Sequence, residues 1–170
     1  HFGLTDQVDI IMGTFSKSLA SIGGFIASTT EIVNYLQHHS RPMIFSASIP
    51  PSAAAAALAA LDIIQSEPER QEALWNNTAY LAKAIQDIGF DINTSETPII
   101  PIYIRDNYLT FQFTQQLFEE GLFVNPVVSP AVRSDSSLIR ISVMATHTRH
   151  QLDKAISKIE KVASRLHVFN

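Results

Sequence analysis

VDIIMGTFSKSLASIGGFIAS, residues 8–28, decides how the rest of the chain is read. A short apolar run, Val8 to Met12, has the pattern of a buried strand, and Gly13 ends it. Thr14, Ser16, Lys17 and Ser18 follow, then Ser21, Gly23, Gly24 and a second apolar run from Phe25 to Ala27. The pattern predicts two strands, 8–13 and 23–28, with a lysine between them among small hydroxyl residues. Such a lysine has two readings. It is a loop side chain reaching solvent, since lysine is rarely fully buried. Or it is a Schiff-base lysine, whose amine must shed its proton to attack a carbonyl; desolvation beside another cation favours that neutral form. Hydroxyls and turn amides at a strand end are suitable phosphate ligands.

Composition narrows the class. Of the 170 residues, 46% are hydrophobic and 16% charged, so a sizeable core is expected and disorder is not. The net charge is −4 and no basic run stands out, which argues against a nucleic-acid partner. With no cysteine, disulfides and thiolate metal sites are excluded, in keeping with a reducing, cytoplasmic setting. No apolar run approaches the ~20 residues needed to span a bilayer, and the start shows no secretory signal pattern. Stable membrane insertion is therefore not expected.

Further along, Ser28 to Glu31 fits a capping box with Ser28 as N-cap, opening a helix that runs to about His39. His38 and His39 are adjacent, which is a helix-end pattern rather than ligand spacing. Met43 to Ser48 reads as an apolar approach to a turn, and Pro50 and Pro51 open an alanine-rich helix from Ala53 to about Ile64. Ser66 to Glu69 reads as a second capping box, and this junction is the candidate domain boundary. Leu74, Thr78, Leu81, Ile85 and Ile88 follow at helical spacing, with Gly89 as the stop and Trp75 beside the stripe, where it is expected to pack against a sheet or a domain junction. Thr97 to Ile104 predicts a strand whose prolines place it at an edge or bulge. Asn107 is the expected cap of a helix with a core stripe of Leu109, Phe113, Leu117 and Phe118, stopped by Gly121. Leu122 to Val128 is strand-like. Residues 138–144, LIRISVM, alternate, with Ile139, Ile141 and Val143 on one face and Arg140, Ser142 and Met144 on the other. On spacing alone Arg140 is an ordinary polar-out residue. Thr148 and Gln151 fit a capping box for an amphipathic final helix. His147 and His150 lack the i, i+4 spacing of a helical zinc pair, so no metal site is expected.

GTFSKSLASIGGFIAS at 13–28 resembles the cofactor-lysine segment of the α-oxoamine synthases, pyridoxal 5'-phosphate (PLP) enzymes that condense an amino acid with an acyl-CoA and release CO2. The resemblance continues through IFSAS at 44–48, EPER at 67–70 with its following Leu74-Trp75, TPIIPIY at 97–103 and MATHT at 144–148. It covers nearly the whole chain. It implies an α/β fold: the C-terminal part of a fold-type I PLP-dependent transferase. Residues 1–65 would end the large cofactor-binding domain. Residues 66–170 would form a small C-terminal domain with a mostly antiparallel sheet, its strands near 99–104, 122–127 and 138–144.

The same resemblance assigns roles. Lys17 would be the catalytic, cofactor-binding lysine, with Thr14 and, less surely matched in the family, Ser16 on the cofactor phosphate. Ser46 and Ala47 would reach the phosphate of the neighbouring subunit in a homodimer with shared active sites; relatives with Thr at the second position make Ala47 a backbone contact. Arg140 would grip the substrate α-carboxylate, a task its planar guanidinium suits. The implied substrates are first L-serine and palmitoyl-CoA, giving 3-ketosphinganine. Glycine with acetyl-CoA, or alanine with a pimeloyl donor, is the alternative. A PLP aminotransferase on the same fold is the alternative of another class. The family also implies a longer N-terminal portion, with a pyridinium-pairing aspartate and a ring-stacking histidine, for which nothing here has a match. His1-Phe2-Gly3-Leu4 reads like the middle of a protein, so the 170 residues alone are expected to bind cofactor poorly and to turn over nothing.

Overall fold

Residues 2–168 are described by the structure, a computed structural model. The chain divides into two compact units, His1–Glu67 and Pro68–Asn170.

In the first unit, strands β1 (Ile11–Thr14) and β2 (Gly24–Ala27) form an antiparallel ribbon with Ile11 opposite Ala27 and Thr14 opposite Gly24. Helices α1 (Thr30–His39), α2 (Arg41–Ile44) and α3 (Pro51–Ser66) follow. The buried-strand reading of Val8 to Met12 does not hold within this chain. Val8 and Ile10 precede the strand, and Ile11 and Met12 are 40% and 74% exposed. A two-stranded ribbon has two faces and two edges, and this unit supplies too little apolar surface to cover them.

Capping differs from expectation too. Thr29, not Ser28, caps α1, accepting from the Ile32 N–H, while the Ser28 hydroxyl donates to the Asp9 carbonyl at 2.6 Å. The Thr29 hydroxyl and the backbone at Glu31 itself hold the Glu31 carboxyl below its ordinary range, the backbone contribution being the larger. Met43 and Ile44 belong to the short helix α2 rather than to an extended approach. Pro51 starts α3, as a ring that needs no N–H partner can, and Ala53 and Ala57 form its buried stripe.

The expected capping box at 66–69 is absent. Ser66 is the last residue of α3 and its hydroxyl turns back to the Asp62 carbonyl, while Pro68 precedes α4 (Glu69–Ile88) without a side-chain cap. Gly89 ends α4 at φ 112°, a conformation that costs glycine little. A three-stranded antiparallel sheet follows, in the order β3-β5-β4: β3 (Ile99–Tyr103), β4 (Asn125–Val127) and β5 (Leu138–Ser142). Between them runs α5 (Asn107–Glu119), and α6 (Arg149–Arg165) closes the unit.

Register explains the prolines. The Val143 N–H donates to the Pro98 carbonyl and the Ile104 N–H to the Ser137 carbonyl, so odd-numbered residues of β5 bond toward β3. Pro101 lies opposite Arg140, where its missing N–H faces the outer edge, and Pro126 opposite Ile139 does the same on β4.

The alternation read from 138–144 is observed. Ile139 and Val143 are buried beneath the helices and Ile141 is partly buried, whereas Arg140, Ser142 and Met144 are exposed. Helices α4 and α5 pack on α6, α4 on β3, and α5 on β4 and β5. The core they close contains Ile85, Ile102, Phe113, Leu117, Ile139, Ile159 and Val162, with Phe113 edge-on to Phe90 at 5.9 Å. Two expectations fail here. Asp106 rather than Asn107 caps α5, because its carboxylate accepts from the Leu109 N–H at 2.6 Å. The Asn107 side chain instead accepts from Ser129 N and the Ser137 hydroxyl. Phe118 is 64% exposed rather than part of the core stripe, and Trp75 is 47% exposed. Among the described residues no helix is long and apolar enough to cross a membrane, and no cluster of His, Asp and Glu could hold a metal.

Candidate active site

The loop joining β1 to β2, residues 15–23, is held by its own backbone. The Phe15 N–H donates to Gly23 O, Ser21 N–H to Phe15 O, and Ala20 N–H to Lys17 O, each at 2.9 Å. Two glycines let the strands meet beneath it. A Cβ at Gly24 would lie 2.5 Å from the Gly13 carbonyl oxygen, and one at Gly13 would lie 2.4 Å from the Phe25 ring. This close approach brings the loop's polar groups to one place. Thr14 Oγ1 lies 2.9 Å from Ser16 Oγ and accepts from the Ser16 N–H at 3.2 Å. Lys17 follows directly, opening the turn that Ala20 closes.

Thr14, Ser16 and Lys17 are all exposed. The residues of this unit do not give the Lys17 amine the desolvated setting that carbonyl attack calls for. They give it two neighbouring hydroxyls on a fixed backbone. A concavity of about 820 Å³ opens along the ribbon, lined by Thr14, Gly24, Phe25, Val33, Leu36 and Met43 among others; Lys17 is not in its wall.

Ser46 and Ala47 lie exposed in the connector between α2 and α3. Two contacts tie that stretch to the lysine loop. A Cβ on Gly23 would sit 2.5 Å from Ile49 Cγ2, and the Ser21 hydroxyl donates to the Ala53 carbonyl at 2.7 Å. Ser21 therefore fixes the first turn of α3 to the loop, a role that no spacing rule marks because its partner lies 32 residues away.

Arg140 lies in the second unit, exposed at the centre of β5, with Pro101 on one side and Asn125 on the other. The segment after its strand is pinned by Asn77 of α4. The Asn77 amide donates to the carbonyls of Met144, Ala145 and His147 at 3.1, 3.4 and 2.9 Å. The Met144 N–H in turn donates to His147 Nδ1 at 3.2 Å. Asn77 is a positioning residue that the sequence did not signal, since an asparagine on a polar helix face looks like any solvated residue.

A family model for aminotransferases of class I and II matches residues 1–159. The chain is 55% identical to a serine palmitoyltransferase of Bacteroides ovatus over 98% of its length, and covers 42% of that protein. It is 42% identical to an 8-amino-7-oxononanoate synthase of Thermosipho melanesiensis, covering 99% of this chain and 43% of the relative. A high-resolution structure of SPT with PLP superposes with a TM-score of 0.89 at 31% identity, over 98% of this chain and 42% of that one. The chain thus spans about two-fifths of the length of the relatives it matches. Matched over almost its full length, and similar in sequence and fold to a serine palmitoyltransferase and in sequence to an 8-amino-7-oxononanoate synthase, the chain belongs to the aminotransferase class I and II family, among its α-oxoamine synthases.

Proposed function

We propose that this chain carries the lysine and the carboxylate-binding arginine of a PLP-dependent acyltransferase that condenses L-serine with palmitoyl-CoA, releasing CoA and CO2. The observation that carries the reading is the end of β1 and its loop, where the hydroxyls of Thr14 and Ser16 and the Lys17 amine fall within four positions on a backbone fixed by glycine contacts. The amine and hydroxyls fit an aldehyde and a phosphate on one molecule. When bound, that cofactor supplies an electron sink at the amino acid's α-carbon.

The residues would act as follows. Lys17 holds the cofactor through its amine, and once released takes the α-proton at Nζ. The Thr14 and Ser16 hydroxyls donate to the phosphate. Ser46 and the Ala47 N–H serve the neighbouring subunit of a homodimer. Arg140 grips the substrate carboxylate with two parallel hydrogen bonds. The boundary expected at 65–66, two residues before the division between the compact units, separates the end of the cofactor-binding domain from the small domain, and the enzyme works in the cytoplasm. The likeness to an 8-amino-7-oxononanoate synthase favours one second reading, in which alanine and a pimeloyl donor are the substrates.

The experiment uses the complete enzyme. Lys17→Ala should abolish the visible absorbance of the lysine-bound cofactor and all turnover, and CoA release should be fastest with serine among serine, glycine and alanine. Unchanged colour and turnover in the variant would end the assignment of Lys17. Transamination without CoA release would replace the synthase by an aminotransferase.

A further inference from the structure

Most cations of the second unit are engaged. Lys83, Arg105, Arg133, Lys161 and Arg165 pair with carboxylates, Arg149 lies 3.4 Å above the Tyr80 ring, and Arg70 also has a partner. Among the described residues of this unit, Arg140, Lys154 and Lys158 have no carboxylate, hydrogen-bond or ring partner. All of them line one cavity of about 530 Å³. No Asp or Glu of the described residues lines it, in a chain whose net charge is −4.

The cavity exists because β4 is short. Its pairing with β5 stops at Asn125 opposite Arg140, so the strand's next positions on that side are left without a neighbour. Since Val143 bonds toward β3, the N–H and C=O of Ser142 turn to this open side. Leu122, Val124 and Ile141 supply apolar wall, and Phe123 and Met144, 77% and 56% exposed, lie at its mouth. Lys154 and Lys158 are one turn apart on α6, and the Lys158 amine stands over Gly121, 3.5 Å from where a Cβ would be. Like charges at this spacing repel, and no carboxylate here relieves them.

We propose that this cavity is a binding site for a phosphate monoester on an apolar or aromatic body. The doubly charged phosphate bridges the amines of Lys154 and Lys158, the Ser142 N–H offers a further donor, and the apolar body lies against Leu122, Phe123 and Met144. The volume suits a small molecule rather than a peptide strand. The inference does not rest on the reading of Lys17.

Phenyl phosphate and inorganic phosphate, titrated calorimetrically into the cofactor-loaded enzyme, test it, and variants of α6 separate this cavity from any phosphate site elsewhere in the enzyme. Phenyl phosphate should bind more tightly than inorganic phosphate. The double variant Lys154→Gln/Lys158→Gln should bind it about tenfold or more weakly, with a shallower dependence on salt. Lys161→Gln, on the same helix but paired with Glu120, should leave binding within about twofold. No binding by the wild type, equal binding by the double variant, or equal affinity for both phosphates would each overturn the site. None of these results depends on whether Lys17 is the cofactor lysine.

Discussion

Gly24→Ala tests whether the glycine contact under the lysine loop sets its geometry. The added Cβ meets the Gly13 carbonyl oxygen at 2.5 Å, against the 3.4 Å of ordinary contact, so the strands must part by about 0.9 Å at this point. The obstacle is backbone on a four-residue strand and no rotamer change relieves it. Overpacking of this kind costs about 1–3 kcal/mol. The strain falls beside the Thr14–Gly24 pair, and the first bond beyond it is Phe15 N–H to Gly23 O. Local opening should therefore become easier by that amount, and the amides of Phe15 and Ser21 should exchange with solvent about 5 to 150 times faster. Hydrogen exchange resolved by residue reads this directly. Exchange at Phe15 and Ser21 that stays within about twofold of wild type would show that the ribbon yields without disturbing the loop and that the glycine contacts do not set its geometry.

Asn77→Ala removes the amide that serves the carbonyls of Met144, Ala145 and His147; leaving these groups with poorer partners should cost about 1–3 kcal/mol in urea denaturation. Asn77→Asp, close in shape but without the N–H donors, should lose at least as much, and a neutral result in both would remove Asn77 from its positioning role. Glu120 gives a pH prediction. Lys161 and Arg165 hold its carboxyl below the ordinary 4.5, so its contribution to stability is complete above that pH and is lost as pH falls through the lowered value. Thermal melts of Glu120→Gln should lie below wild type near neutrality and converge with it in strong acid; a constant gap across that range would contradict the pairing.

Periodicity located the second unit's helices and the strand at 138–144, while the antiparallel sheet as a whole was implied by the family resemblance. The alternation of 138–144, the helical stripe of 74–88 and the stop at Gly89 are local consequences of which side chains must leave water, so a linear string carries them. The stretch 13–28 was legible as a strand, a loop and a second strand because its hydroxyls, lysine and glycines lie within sixteen consecutive positions, whereas the role of Lys17 was left between two readings that only the family resemblance separated. Cap identity was not legible at Ser28, Ser66 or Asn107. Each has a neighbour or a distant partner competing for its side chain, and that competition is decided by packing. Burial of Val8 to Met12 was misjudged for a related reason: an apolar run records a tendency to be covered, not what covers it. Only the tertiary structure could bring Asn77 to the 144–147 turn, Ser21 to the start of α3, and the unpartnered charges of β5 and α6 to one cavity. Such contacts join residues tens of positions apart, and nothing in a spacing rule reaches that far.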